Sequence, residues 1–264
     1  MDGQKQHREV NTVEQKLPDE AGGFWKAIKD RVKENLESEF GSELNRTDEF
    51  ERKDERIERM MAREKTFVTS VLSRVERARE ERGGDMVILF DINETIGSTK
   101  FVDGNNFHTL LRPSLMPMME KLRAMGIKIG FISNWGKEAM ERQLQDTQDL
   151  ESLREYITPK YIYSTRVGYE QDLPYRSVEE LAQKLKETFG GDLGVVDDAL
   201  LGAEGEYPDS SGDYEKLFFL KKIQSELNGK TVIVVDDLDY PKYLDKKKGF
   251  YGVSLGGRGA FFKP

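Results

Sequence analysis

Apolar positions fall into two textures along the chain, and the change comes at Gly83-Gly84. Before it they recur every three or four residues. Phe24, Trp25, Ile28, Val32 and Leu36 stripe one stretch (21–40), and Ile57, Met60, Met61, Phe67, Val68, Val71, Leu72 and Val75 stripe another (48–82). That spacing marks one face of an α-helix, and paired glycines are a fitting terminator for the second helix. After Gly84 the apolar residues come in short runs of strand length, at 87–90, 127–132, 161–163, 231–235 and 251–255. Helical stripes separate them. One opens at Pro113, carries Leu115, Met118, Met119, Leu122 and Met125, and stops at Gly126; others are expected from Glu138 to about Gln145 and from Val178 to Phe189. A Gly- and Asp-rich loop spans 202–212, and Asp213 then suits the N-cap of a helix holding Leu217, Leu220, Ile223 and Leu227. Asp103-Gly104-Asn105-Asn106 has the chemistry of a hairpin turn. No internal repeat is evident.

Strands separated by helices imply right-handed crossovers and a parallel sheet between helical layers, a three-layer Rossmann-like α/β fold. The expected organisation is a polar, disordered N-terminus over 1–20, a charged helical extension over 21–84, and an α/β catalytic domain over 85–264 with a short hairpin flap and no large cap. The extension reads as a solvated helical pair packed on the domain through one face. A partner-binding or self-associating arm is its alternative.

Composition narrows the function classes. The net charge of −8 makes the whole chain a poor electrostatic match for nucleic acid or anionic lipid. The absence of cysteine removes disulfides, thiolate zinc sites and cysteine nucleophiles together. The N-terminus lacks a signal-peptide apolar stretch, and no segment approaches membrane-spanning length, so a cytoplasmic location and no membrane partner are expected.

Candidate chemistry collects at the ends of the apolar runs. The run at 87–90 leads straight into Asp91-Ile92-Asn93-Glu94-Thr95, which delivers a carboxylate to the sheet edge where ligands bind in open α/β folds. Such an aspartate can serve as nucleophile and metal ligand. The run at 127–132 ends in Ser133-Asn134, the run at 231–235 ends in Asp236-Asp237, and Lys216 sits just inside the expected helix start. A cation there opposes the helix dipole, which hints at a nearby anion. In this order and spacing Asp91, Ser133, Lys216 and Asp236/Asp237 resemble the four motifs of the haloacid dehalogenase superfamily, over roughly residues 85–258. Leu111-Arg112-Pro113-Ser114-Leu115 and Asp236-Asp237-Leu238-Asp239-Tyr240-Pro241 are similar to the capless protein phosphatases that act on polymerase tails.

The resemblance implies a Mg²⁺-dependent phosphoester hydrolase or phosphotransferase in which Asp91 attacks phosphorus. It assigns Mg²⁺ to Asp91, the main-chain carbonyl of Asn93, and Asp237, with Asp236 behind them or as a supplementary ligand. Phosphate oxygens fall to Ser133 and Asn134, and charge neutralisation to Lys216, ahead of Lys221 and Lys222. The missing cap implies an open cleft, which suits a macromolecular or extended phosphorylated substrate better than a small enclosed metabolite. The departure is at Asn93, where these phosphatases place a second, proton-transferring aspartate. An amide does not titrate usefully, and general acid–base help is worth roughly 10²- to 10⁴-fold. Glu94, His108 and Asp239 are the candidates to substitute. A catalytically impaired binding or scaffold protein is therefore an alternative reading, and metal-independent dehalogenase chemistry a further one.

Overall fold

The structure is a computed structural model, and the described residues are 23–37, 53–103, 106–134, 140–141, 144, 148–164, 216, 219–220, 223, 225–238, 240–244 and 246–255. Its elements in chain order are α1 (Gly23–Glu37), α2 (Lys53–Glu81), β1 (Met86–Phe90), β2 (Gly97–Asp103), β3 (Asn106–Leu111), α3 (Leu115–Ala124), β4 (Lys128–Ser133), α4 (Gln148–Glu151), β5 (Ile157–Ser164), β6 (Thr231–Asp236) and β7 (Phe250–Ser254). All five apolar runs become strands of one parallel sheet in the order β5-β4-β1-β6-β7. The chain starts at the centre and winds outwards in both directions, as in a Rossmann-like sheet, and the winding reverses between β1 and β6. β2 and β3 pair antiparallel as a separate hairpin about the expected turn.

Alternate strand residues serve opposite faces. Ile88, Phe90, Ile233, Val235, Tyr251 and Val253 share one core cluster, while Val87, Leu89, Val232, Val234 and Phe250 share the other. The second face is covered by Phe219, Leu220, Ile223 and Leu227, with Tyr240 among them. The first is covered by α1, α2 and α3. This division explains the unbroken apolar runs: a strand buried on both sides has no solvent-facing position to alternate with.

Helix α2 has a particular place in this layer. Among the described residues, the connection between β6 and β7 holds two short 3₁₀ turns, Tyr240–Tyr243 and Lys246–Lys248, and α2 lies against both strands. Its stripe of Val68, Val71, Val75 and Ala78 is fully buried, and Gly83 (φ 62°) and Gly84 (φ 78°) turn the chain from the helix into β1 through left-handed conformations. Full burial of each of the three valines is worth about 1.5–3 kcal/mol, so this helix is part of the domain core. Among the described residues no helix is long and apolar enough to cross a membrane.

Several expectations fall on residues outside the described ones: the polar stretch 1–20, the helix from Val178 to Phe189, the loop 202–212, the Asp213 cap, Lys221, Lys222 and Asp239, together with the side chain of His108. Helical conformation is seen at Met140, Glu141 and Leu144, within the stretch expected from Glu138 to about Gln145.

Leu72 tests the placement of α2, because its side chain is buried beneath the helix at 3 % exposure. Leu72→Ala is expected to lower the unfolding free energy in urea by about 2–5 kcal/mol. A loss below about 0.5 kcal/mol, the level of an ordinary surface substitution, would contradict a core position.

Candidate active site

Two adjacent strands deliver the carboxylates to one edge. The buried run through Phe90 holds β1 at the sheet centre, and Asp91 extends the register by donating its N–H to the Val235 carbonyl at 2.9 Å. β6, its neighbour, ends in Asp236, and Asp237 follows. Asp91, Asp236 and Asp237 are all buried, and one carboxylate oxygen from each lies within 4.8 Å of the other two. The cluster thus sits where the winding of the sheet reverses, the usual place for a ligand in this architecture.

Lys216 comes to the cluster from the helical segment covering the second face. Its buried Nζ is 2.6 Å from Asp236 Oδ2 and 2.9 Å from Asp91 Oδ1. Asp236 is the most heavily engaged acid: Oδ2 also accepts the Tyr240 hydroxyl at 3.0 Å, and Oδ1 accepts the Leu238 N–H at 2.9 Å. Tyr240 reaches it because the following turn crosses close over β7 at Gly252. A Cβ at that glycine would lie 1.6 Å from the Pro241 carbonyl oxygen, so no other residue fits without moving the turn. Asp237 is held through its backbone, whose N–H donates to Thr95 Oγ1 at 2.9 Å.

The electrostatics of this arrangement are unbalanced. Burial first, with Asp236 adding to it against the pull of Lys216, pushes Asp91 up to about 7. Burial, then Asp236 and Asp91, pushes Asp237 up to about 7 as well. Lys216 is driven down by burial, but the attraction of Asp236 and Asp91 outweighs it and holds the ammonium above its ordinary range. Like charges near 5 Å apart repel by roughly 3–4 kcal/mol at an effective dielectric near 20. Three carboxylates against one ammonium therefore carry surplus negative charge when ionised. Their all-oxygen donor set fits a hard divalent cation, and the three aspartates can hold a metal ion between them.

The remaining predicted residues occupy the same edge with less definition. Ser133 is buried at the end of β4, beside β1, whereas Asn134 is exposed. Asn93 is exposed in a tight turn in which the Glu94 N–H donates to the Gly97 carbonyl at 2.7 Å. Glu94 adopts a left-handed φ of 61°, rare outside glycine, and strain of that kind collects at functional loops. Of the three candidates to replace a second aspartate it is the one whose side chain is described: its half-buried carboxylate accepts the Ser98 hydroxyl at 3.2 Å, and burial raises its pKa. Thr95 and Tyr240 are the site residues that sequence reasoning missed. Both lie in motifs already singled out, four positions after Asp91 and Asp236, but nothing in the pattern says which way a hydroxyl points. The chain matches no family model, no curated protein and no solved structure.

Raised carboxyls give a testable pH dependence. With ordinary values near 4 in the unfolded chain and about 7 in the fold, Asp91 and Asp237 make the native state bind more protons across that window. Stability then falls as pH rises through it. Exposed acids such as Asp85, held low by hydrogen bonds to Lys128 and Lys230, work in the opposite direction, so the cluster is isolated by comparison with a variant. In the presence of a chelator, the Tm of Asp237→Asn is expected to gain on the wild type steadily from pH 4.5 to about 7.5. A constant difference across that range would contradict the electrostatics described.

Proposed function

We propose that this chain is a Mg²⁺-dependent phosphoester hydrolase or phosphotransferase that works through an aspartyl-phosphate on Asp91, in the manner of the haloacid dehalogenase superfamily its motifs resemble. The observation that supports this most is the ammonium of Lys216 within 3 Å of both Asp91 and Asp236 at the reversal point of the sheet. A lysine alone is a common partner for a buried acid. A lysine with three clustered acids can also hold a divalent cation, and ammonium and cation together would bring an anionic nucleophile to an anionic phosphoryl group.

In this reading an Asp91 oxygen attacks phosphorus, the ester P–O bond breaks, and the leaving oxygen departs with the electron pair and takes a proton from solvent. Water, or an acceptor hydroxyl, then attacks the same phosphorus, gives up its proton to solvent, and breaks the bond between phosphorus and the Asp91 oxygen, which frees the carboxylate. Lys216 offsets charge on Asp91 and on the transferring group. Asp236, engaged by Lys216, Tyr240 and the Leu238 amide, orients that ammonium. Ser133 and Asn134 are the proposed phosphate contacts. Mg²⁺, held by Asp91, Asp237 and the Asn93 carbonyl with Asp236 in support, would neutralise the surplus negative charge and let an anionic substrate approach. The substrate class is a phosphorylated molecule, small or macromolecular.

Asn93 shapes the expected activity. With no titrating group at that position, esters with good leaving groups such as aryl phosphates should turn over best. It is also the observation behind the second reading, a catalytically impaired protein that uses this cleft for binding or as a scaffold.

Hydrolysis of p-nitrophenyl phosphate is expected to require Mg²⁺ and to fall by roughly 10³-fold or more in Asp91→Ala, the scale of losing a covalent nucleophile. Asn93→Asp is expected to raise turnover of a poorly activated alkyl phosphate by up to about 10²- to 10⁴-fold. Well-folded wild type and Asn93→Asp that both lack metal-dependent turnover would rule out the hydrolase and leave the binding reading.

A further inference from the structure

Helix α2 carries one buried charge among its apolar residues, Glu64, and the hydrogen bonds that begin there end in the candidate site. Its carboxylate accepts the Arg112 Nη1–H at 3.0 Å, the Ser114 N–H at 3.1 Å and the Ser114 hydroxyl. Arg112 in turn donates Nε–H to the Thr95 carbonyl at 2.7 Å, and its own backbone N–H donates to the Ile96 carbonyl at 2.8 Å. Thr95 Oγ1 then accepts the Asp237 N–H at 2.9 Å. Glu64, Arg112, Ser114, Thr95 and Asp237 are all buried. Three links therefore join a helix that precedes the sheet to an acid that follows β6, and they pass through the loop that begins at Asp91.

We infer that Glu64 is a positioning residue for the acidic cluster: it fixes the Arg112 fork, Arg112 fixes the loop from Asp91 to Ile96, and the Thr95 hydroxyl of that loop holds the Asp237 backbone. A buried ion pair is a poor device for stability alone, since well-packed apolar residues commonly serve as well in its place. It is a good device for geometry. The planar guanidinium donates to Glu64 from Nη1 and to Thr95 from Nε, a double placement that a lysine cannot reproduce. Groups that orient metal-binding carboxylates typically change metal affinity by about 10- to 100-fold when removed. The inference rests on the metal-binding reading of Asp91 and Asp237 for its functional consequence, though not for its geometry.

The test uses the full chain with two readouts: the Kd for Mn²⁺ followed by electron paramagnetic resonance, and the amide ¹H–¹⁵N resonance of Asp237. E64Q keeps the shape and loses the charge. R112K keeps a cation beside Glu64 and loses the fork, and it carries the test if E64Q does not fold. L72A, which empties space under the same helix, serves as the control for general destabilisation. E64Q and R112K are expected to raise the Kd by about 10- to 100-fold and to displace the Asp237 resonance, while L72A leaves the Kd within about twofold and the resonance in place. An unchanged Kd and resonance in E64Q or R112K would overturn the positioning role, as would equal effects in L72A. If wild-type protein binds no Mn²⁺, the metal-dependent reading itself fails. The Asp237 resonance then decides the positioning role alone: displaced in the network variants and not in L72A, it stands; otherwise it falls.

Discussion

Lys216 places its ammonium 2.6 Å from Asp236 and 2.9 Å from Asp91 in a region almost closed to water, and Asp237 adds a third carboxylate to the same small volume. Each of these groups is expensive to bury ionised. The lysine makes two of the acids tolerable, and the surplus charge that remains suits a cation, which the three acids can hold between them. Asp91 and Asp237 stand out of their ordinary range because burial and mutual repulsion exceed what one ammonium offsets. In the proposed reading, these acids gain most when a divalent ion and a phosphoryl group arrive together.

Keeping such a cluster in place requires a rigid frame. Parallel strands buried on both faces supply it, because β1 and β6 share a continuous register from Met86–Thr231 to Phe90–Val235 and release their acids side by side. Helix α2 completes the frame over β6 and β7. Its apolar face adds burial to the sheet, and its single buried carboxylate, Glu64, reaches the loop between Asp91 and Ile96 through Arg112. Structural core and chemical edge are therefore not separate regions here. The same helix that covers the sheet also sets the backbone from which Thr95 holds Asp237.

Much of this was readable in the chain because apolar runs are governed by local sequence. The strands at 87–90 and 231–235 had to be buried on both sides, so the acids that follow them had to emerge at one edge, and they do. The stripe on α2 identified a packed face but not its destination against β6 and β7, which depends on the short connection between those strands. Glu64 was hidden for a related reason: in a helix rich in Glu, Arg and Lys a single buried carboxylate looks like its exposed neighbours. Its partner Arg112 lies 48 residues away in sequence. Tyr240 and Thr95 were likewise invisible as ligands of the site, because a hydroxyl's direction is set by close backbone approaches such as that of Pro241 over Gly252.

The most direct measurement is a crystal structure of the protein grown with Mg²⁺ and beryllium fluoride, which mimics a phosphoryl group on a carboxylate. The account predicts fluoroberyllate bonded to an Asp91 oxygen beside Lys216, with Mg²⁺ shared by Asp91 and Asp237. Well-ordered Asp91, Asp237 and Lys216 with neither ion among them, at concentrations that saturate ordinary aspartyl-phosphate enzymes, would contradict it.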